Sequence, residues 1–115
     1  MITNFEYSAK DKKISWHFKA QNKVLKLENP QIVKCYEYLD RIFVISLKGK
    51  NTVLSVYDSE ANLSDEIESK PGFIITGFRS GVINPEVVIR ENVNEPSIYI
   101  YDVKKKTLKK TDEVV

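Results

Sequence analysis

The chain contains very few of the residues on which most small catalytic and metal-binding sites depend. Its 115 residues include one cysteine and one histidine. A single thiol cannot form an internal disulfide or, by itself, a thiolate metal site, and one histidine leaves few ways to activate a nucleophile. We therefore predict no catalytic residue, no metal site and no cofactor. We expect His17 to face solvent and Cys35 to be a buried, unreactive thiol.

Long apolar runs are missing as well. No segment approaches the roughly 18 apolar residues that a membrane helix needs, and the first residues lack the basic start and apolar stretch of a secretory signal. We therefore expect a cytoplasmic protein without a membrane partner. The net charge of +2 is small for a protein that binds a polyanion, so we expect no nucleic-acid partner. The lysine-rich residues 104–110 are predicted to form a solvated turn that leads into an edge strand.

Short β-strands account for most of what the chain does contain. β-Branched and aromatic residues form short runs, of which residues 42–47 are the clearest, and polar turns separate the runs about every eight to twelve residues. Apolar positions recur with a period of two, whereas helical periodicity is weak. The pattern predicts one all-β domain over residues 1–115, built from roughly ten short strands.

A segment that consists of a strand, a polar turn and a second strand occurs three times. Its aromatic anchors are Phe18, Tyr57 and Tyr101, which lie about 40 residues apart, a spacing typical of four-stranded repeat units. The Pro71-Gly72 pair is the strongest internal break. The predicted internal units are, approximately, residues 14–30, 32–68 and 73–113.

The inner strands of these units are apolar on both faces. Residues 42–47 and 52–57 place hydrophobic side chains on either side of the strand, whereas residues 63–67 and 107–113 are polar. Three carboxylates within residues 64–68 are predicted to form a charged edge or turn. Buried inner strands and polar outer strands are what radially stacked four-stranded sheets require.

This order of features resembles the blade of a β-propeller. Tyr57-Asp58 and Tyr101-Asp102 stand where propeller families carry an aromatic-Asp pair, although the Trp-Asp dipeptide and the paired glycines of the well-known families are absent. The resemblance implies blade-like antiparallel sheets stacked as a partial propeller, with a β-sandwich or barrel as the alternative. About two and a half blades cannot close a ring of roughly four to eight. The resemblance therefore implies a partner on the open sheet faces.

Exposed aromatic residues are the candidate contact residues, because they combine apolar area with a polar tip. We expect the open faces around residues 16–18 and 99–101; core packing is the other interpretation of the aromatic residues. The candidate binding residues are Trp16, Tyr36, Tyr38, Tyr99 and Tyr101. We predict a non-catalytic module that binds a protein or a second copy of itself. The alternatives are an inhibitor or immunity protein that neutralises a toxin or enzyme, a lectin-like oligomer, and an enzyme with an unrecognised site.

Overall fold

The protein is all-β and consists of eleven strands in the part of the chain that the structure describes. This structure is a computed structural model, and it describes residues 1–26, 32–38, 40–79, 85–91, 96–102 and 104–114. The strands are β1 (Thr3–Ser8), β2 (Lys13–Phe18), β3 (Gln21–Lys26), β4 (Ile32–Tyr38), β5 (Arg41–Lys48), β6 (Asn51–Tyr57), β7 (Leu63–Glu68), β8 (Phe73–Arg79), β9 (Glu86–Glu91), β10 (Pro96–Asp102) and β11 (Thr107–Val114).

The strands form three antiparallel sheets, each of which is a meander of strands that are consecutive in sequence. The first sheet has the order β1-β2-β3, the middle sheet β4-β5-β6-β7 and the third sheet β8-β9-β10-β11. Across the described residues none of these sheets closes into a barrel. The prediction of antiparallel four-stranded sheets is confirmed for the second and third units, which match the middle and third sheets.

The first unit differs from its prediction in two places. Strand β1 was missed, because only two of its six residues are apolar and the positive φ of 54° at Asn4 interrupts the regular alternation. The polar residues 21–23 favour a turn in the sequence, but they belong to β3, since the turn falls on Lys19 and Ala20, where φ is 52° and 61°. A two-residue turn with both φ angles positive is usually marked by Asn-Gly, and neither residue here gives that signal. Residues 27–30 of this unit lie outside the described residues.

The middle sheet is covered on both faces, as its sequence predicts. On one face Ile42 and Val44 pack with Trp16 of the first sheet. On the other face Phe43 and Ile45 pack with side chains of the third sheet. Successive residues of a strand point to opposite faces, so β5 contributes to both cores and all four of these side chains are buried.

The repeated Tyr-Asp pairs have the same structural role in the middle and third sheets. Each pair ends the third strand of its sheet, and each aspartate closes the turn that follows. The Asp58 carboxylate accepts a hydrogen bond from the backbone N–H of Asn62 at 2.9 Å, and Asp102 accepts one from the backbone N–H of Lys104 at 3.0 Å. Such bonds from aspartate to the backbone ahead stabilise turns. Phe18 ends β2 without an aspartate, which is why the third copy is weaker.

Candidate functional site

Aromatic side chains form a continuous cluster between the middle and third sheets. The Tyr36 ring stacks on Tyr38 with 5.7 Å between centroids and on Phe78 with 5.2 Å. Phe43 meets Phe78 and Tyr101 edge to face, at 6.2 and 5.7 Å. Stacked and edge-to-face pairs at these distances are favourable beyond the area they bury. These rings therefore form one part of the contact between the two sheets, beside buried aliphatic residues such as Leu54 and Ile75.

Two tyrosines of the third sheet are fixed by their hydroxyl groups. Tyr101 is 1% exposed, and its hydroxyl donates a hydrogen bond to Asp65 of the middle sheet at 2.8 Å. Burial and the bond to Asp65 raise the pKa of Tyr101 well above its usual value. The half-buried Tyr99 donates its hydroxyl hydrogen to Glu91, and burial followed by this bond raises the pKa of Tyr99 to about 12. The structure thus brings four of the five candidate residues to one interface inside the fold.

Trp16 lies apart from the other candidates, between the first and middle sheets. Its side chain is 0% exposed, and its indole N–H donates a hydrogen bond to the Ser59 carbonyl at 2.9 Å. We expected open faces around residues 16–18 and 99–101. The structure corrects this expectation, because the middle sheet covers the first sheet on the Trp16 face and the third sheet on the Tyr101 face. The outward surfaces of the stack are the opposite faces of the two outer sheets.

The outward face of the first sheet, named here the polar end face, carries mainly polar side chains. It consists of Lys13, Ser15, His17, Asn22, Val24 and Lys26. His17 is exposed, and the Asn4 side-chain amide lies 3.3 Å from its Nδ1 atom. Val24 is an exposed hydrophobic residue on this face, at 45%. The polar end face therefore resembles an ordinary solvated sheet surface.

The outward face of the third sheet, named here the apolar end face, is different. Its apolar positions are Ile74, Val88, Ile98 and Ile100, which alternate along their strands with residues that face the middle sheet. The charged residues Glu86, Arg90 and Lys109 lie on the same face. Ile74 is 45% exposed, Val88 and Ile100 are half-buried, and Ile98 is buried. In the sequence both sides of residues 98–103 are apolar, and the predicted open face around residues 99–101 is the side that packs on the middle sheet. Val103 lies outside the described residues.

A cleft of about 390 Å³ opens between the middle and third sheets, on the side of β7 and β11. Apolar side chains form its floor and polar residues its rim. The floor consists of Ile67, Phe73, Ile75, Ile89, Tyr99 and Leu108. Elsewhere the two sheets come close together, since β8 lies next to β4, β5 and β6. The cleft is where the sheets diverge, and no sequence pattern marks such a gap.

Asp65 is a residue whose role sequence reasoning missed. Its carboxylate accepts a hydrogen bond from the buried Tyr101 hydroxyl, whereas the sequence predicts only a charged edge or turn at residues 64–68. A single carboxylate among several on a strand gives no signal that a hydroxyl group from another sheet will reach it. Only the packing of the two sheets brings these atoms together.

The single thiol of the chain, Cys35, is shielded from reaction. Cys35 is half-buried, and burial raises the pKa of its thiol to about 11. Because the thiolate is the reactive form, this shift lowers the nucleophilicity of the thiol near neutral pH. Among the described residues, no three side chains of His, Cys, Asp or Glu meet in a way that could hold a metal ion. The described part of the chain also contains no helix able to span a bilayer.

Comparison of the chain with known protein families, curated proteins and solved structures finds no match.

Proposed function

We propose that this chain is a non-catalytic cytoplasmic β domain, a partial stack of propeller-like blades, that associates with a second copy through its apolar end face. The observation that supports this most is the contrast between two equally exposed residues. Ile74 and Val24 are both 45% exposed. Val24 stands among polar side chains, whereas Ile74 belongs to a face with Val88 and Ile100. Several apolar side chains that share one outward face are a feature of interaction sites.

The blade-like arrangement is supported by how the sheets approach each other. Strand β8 lies close to β4, β5 and β6, while the cleft separates the sheets near β7 and β11. Sheets that converge at one edge and diverge at the other are expected of blades around an axis. An outer blade whose outward face is apolar would continue the stack through a partner.

A second copy fits the apolar end face because its central strand is self-complementary in charge. Along β9 the outward positions are Glu86, Val88 and Arg90. Glu86 already lies 2.9 Å from Arg79 Nε of its own copy, so Arg90 of a second copy would join an existing ion pair. A two-fold axis that lies in the interface and crosses β9 at Val88 reverses the strand direction. It therefore places Arg90 of each copy opposite Glu86 of the other, with the two Val88 side chains in contact. Such isologous contacts are what closed dimers require.

The size of the face indicates that the association is weak. Four strands spaced about 4.8 Å apart, with six to eight residues each, present roughly 400–500 Å² per copy. A standard stable interface takes about 800 Å² from each partner. We therefore expect a reversible dimer that forms in the micromolar to millimolar range.

Sedimentation over a range of concentrations tests this proposal. The apparent mass is expected to rise toward twice that of one chain between about 10 μM and about 1 mM. The Ile74→Lys variant is expected to stay monomeric, because the axis would bring a buried lysine of each copy to the same interface. The Val24→Lys variant is the matched control and should dimerise as the unmodified chain does. Monomers at every concentration, or equal loss of dimer in both variants, would contradict the proposal.

A further inference from the structure

The cleft between the middle and third sheets is large enough for a small ligand. Its volume of about 390 Å³ lies near the lower end of the roughly 300–1,000 Å³ of small-molecule sites, which are mostly apolar with a few placed polar groups. The side chains of Ile67, Phe73 and Leu108 are half-buried rather than closed off. The floor thus offers apolar surface that a ligand could cover.

The carboxylates near this cleft are already compensated by neighbouring groups. Glu68 accepts a hydrogen bond from the Asn51 amide at 2.8 Å and lies 3.2 Å from the Lys48 ammonium. These contacts, the Asn51 bond first, hold the pKa of Glu68 below its usual value. Glu91 lies 3.0 Å from the Lys110 ammonium. The negative charge of each carboxylate is therefore compensated by a neighbouring lysine.

Two lysines at the rim lack a corresponding carboxylate. Lys70 and Lys106 both line the cleft. Lys106 donates a hydrogen bond to the Ser64 carbonyl at 3.0 Å, which is a neutral acceptor. Within the described ranges, neither lysine forms an ion pair with a carboxylate. The mouth of the cleft therefore carries positive charge above an apolar floor.

We propose that the cleft binds a small amphiphilic monocarboxylate. The apolar chain of the ligand lies on the floor formed by Phe73 and Leu108, and its carboxylate lies between Lys70 and Lys106. This site is independent of the proposed self-association, because the apolar end face is on the other side of the third sheet. An anionic group is favoured over a neutral one because it compensates the positive charge of the two lysines, while the apolar chain supplies most of the affinity.

Titration with octanoate, followed by methyl NMR of the whole chain, tests this site. Methyl shifts are expected at Ile67, Ile89 and Leu108 and not at Ile14 or Ile42, which belong to the other core. Octylammonium and octan-1-ol have the same chain without the negative charge. We expect each of them to bind at least about threefold more weakly than octanoate, the range given by exposed charge pairs.

Two pairs of variants distinguish the contribution of the rim to octanoate binding from that of the floor. Lys70→Gln combined with Lys106→Gln is expected to weaken octanoate binding roughly three- to tenfold, and the matched control is Lys10→Gln with Lys26→Gln on the first sheet. The Leu108→Ala variant is also expected to weaken binding severalfold. Its control, Leu25→Ala, removes a half-buried leucine of the first sheet and should leave binding unchanged.

Several results would overturn the assignment. These are the absence of methyl shifts with octanoate up to about 10 mM, equal binding of octylammonium, and equal weakening by the rim variant and its first-sheet control. Shifts confined to the methyl groups of Ile74 and Ile100 would also overturn it, since they would place the ligand on the apolar end face.

Discussion

The two ends of the sheet stack are built in the same way but present different surfaces. Both outer sheets are antiparallel meanders, and both pack one apolar face on the middle sheet. Outward positions of β2 carry Ser15 and His17, whereas the outward position between Glu86 and Arg90 on β9 is Val88. A sheet at the end of a stack can be solvated on its outward face only if that face is polar. The difference between the ends therefore supports the proposed contact at the third sheet rather than at the first.

The largest expected effect concerns the covered face of the first sheet. Replacing Trp16 with alanine removes a fully buried ring and the indole bond to the Ser59 carbonyl, so we expect the free energy of unfolding to fall by about 3–5 kcal/mol. Urea denaturation at neutral pH measures this loss of stability. The Trp16→Phe variant keeps most of the apolar area, so its free energy of unfolding should fall by less. A cost below about 1 kcal/mol for Trp16→Ala would show that the first sheet is not packed on the middle sheet.

A smaller effect is expected at the other interface of the middle sheet. The Tyr101→Phe variant loses the hydroxyl bond to Asp65, and bonds to charged groups contribute about 1.5–3 kcal/mol. The exposed Tyr7 provides the control, because Tyr7→Phe should change the free energy of unfolding by less than about 0.5 kcal/mol. Urea denaturation measures both changes in the free energy of unfolding. Equal changes in the two variants would show that the Tyr101 hydroxyl does not stabilise the contact between the sheets.

Alkaline pH should weaken the same interface. The pKa values of Tyr99 and Tyr101 are raised in the folded chain, to about 12 for Tyr99, above the value of about 10 for an unfolded tyrosine. Their contribution to stability is therefore complete below about pH 10 and decreases as the pH rises toward the folded pKa. We expect the free energy of unfolding to fall between about pH 10 and about pH 12. The fall should be smaller in Tyr101→Phe, and an equal fall in both proteins would contradict this cause.

The covered core was predictable from sequence, whereas the identity of the outward faces was not. The nearly continuous hydrophobicity of residues 42–47 predicts that both faces of the middle sheet need cover, and both are covered. The tyrosines at positions 99 and 101 were expected on an open face because tyrosine suits interfaces. Their side of the strand and the Ile98–Ile100 side are both apolar, so sequence alone could not decide which side faces the middle sheet. Likewise, strand β1 carries too few apolar residues to give a signal.

The smallest expected effect is at the turn between β2 and β3, in the sheet with the polar end face. Lys19 and Ala20 both have positive φ, which costs roughly 1–2 kcal/mol for each non-glycine residue. Replacing them with Asn-Gly, the pair that favours this turn, should raise the free energy of unfolding by about 1 kcal/mol. The same pair placed at residues 104 and 105 is the control, because neither position has positive φ. Thermal denaturation measures both, and a loss of stability at residues 19 and 20 would contradict the turn geometry.

Intermolecular contacts give the most direct test of the difference between the two ends. In a mixture of isotope-labelled and unlabelled copies at about 1 mM, isotope-filtered NMR detects only contacts between different molecules. The account predicts intermolecular contacts from the methyl groups of Ile74, Val88 and Ile100, and none from Val24. Contacts from Val24 and the polar end face, or no intermolecular contacts at all, would contradict it.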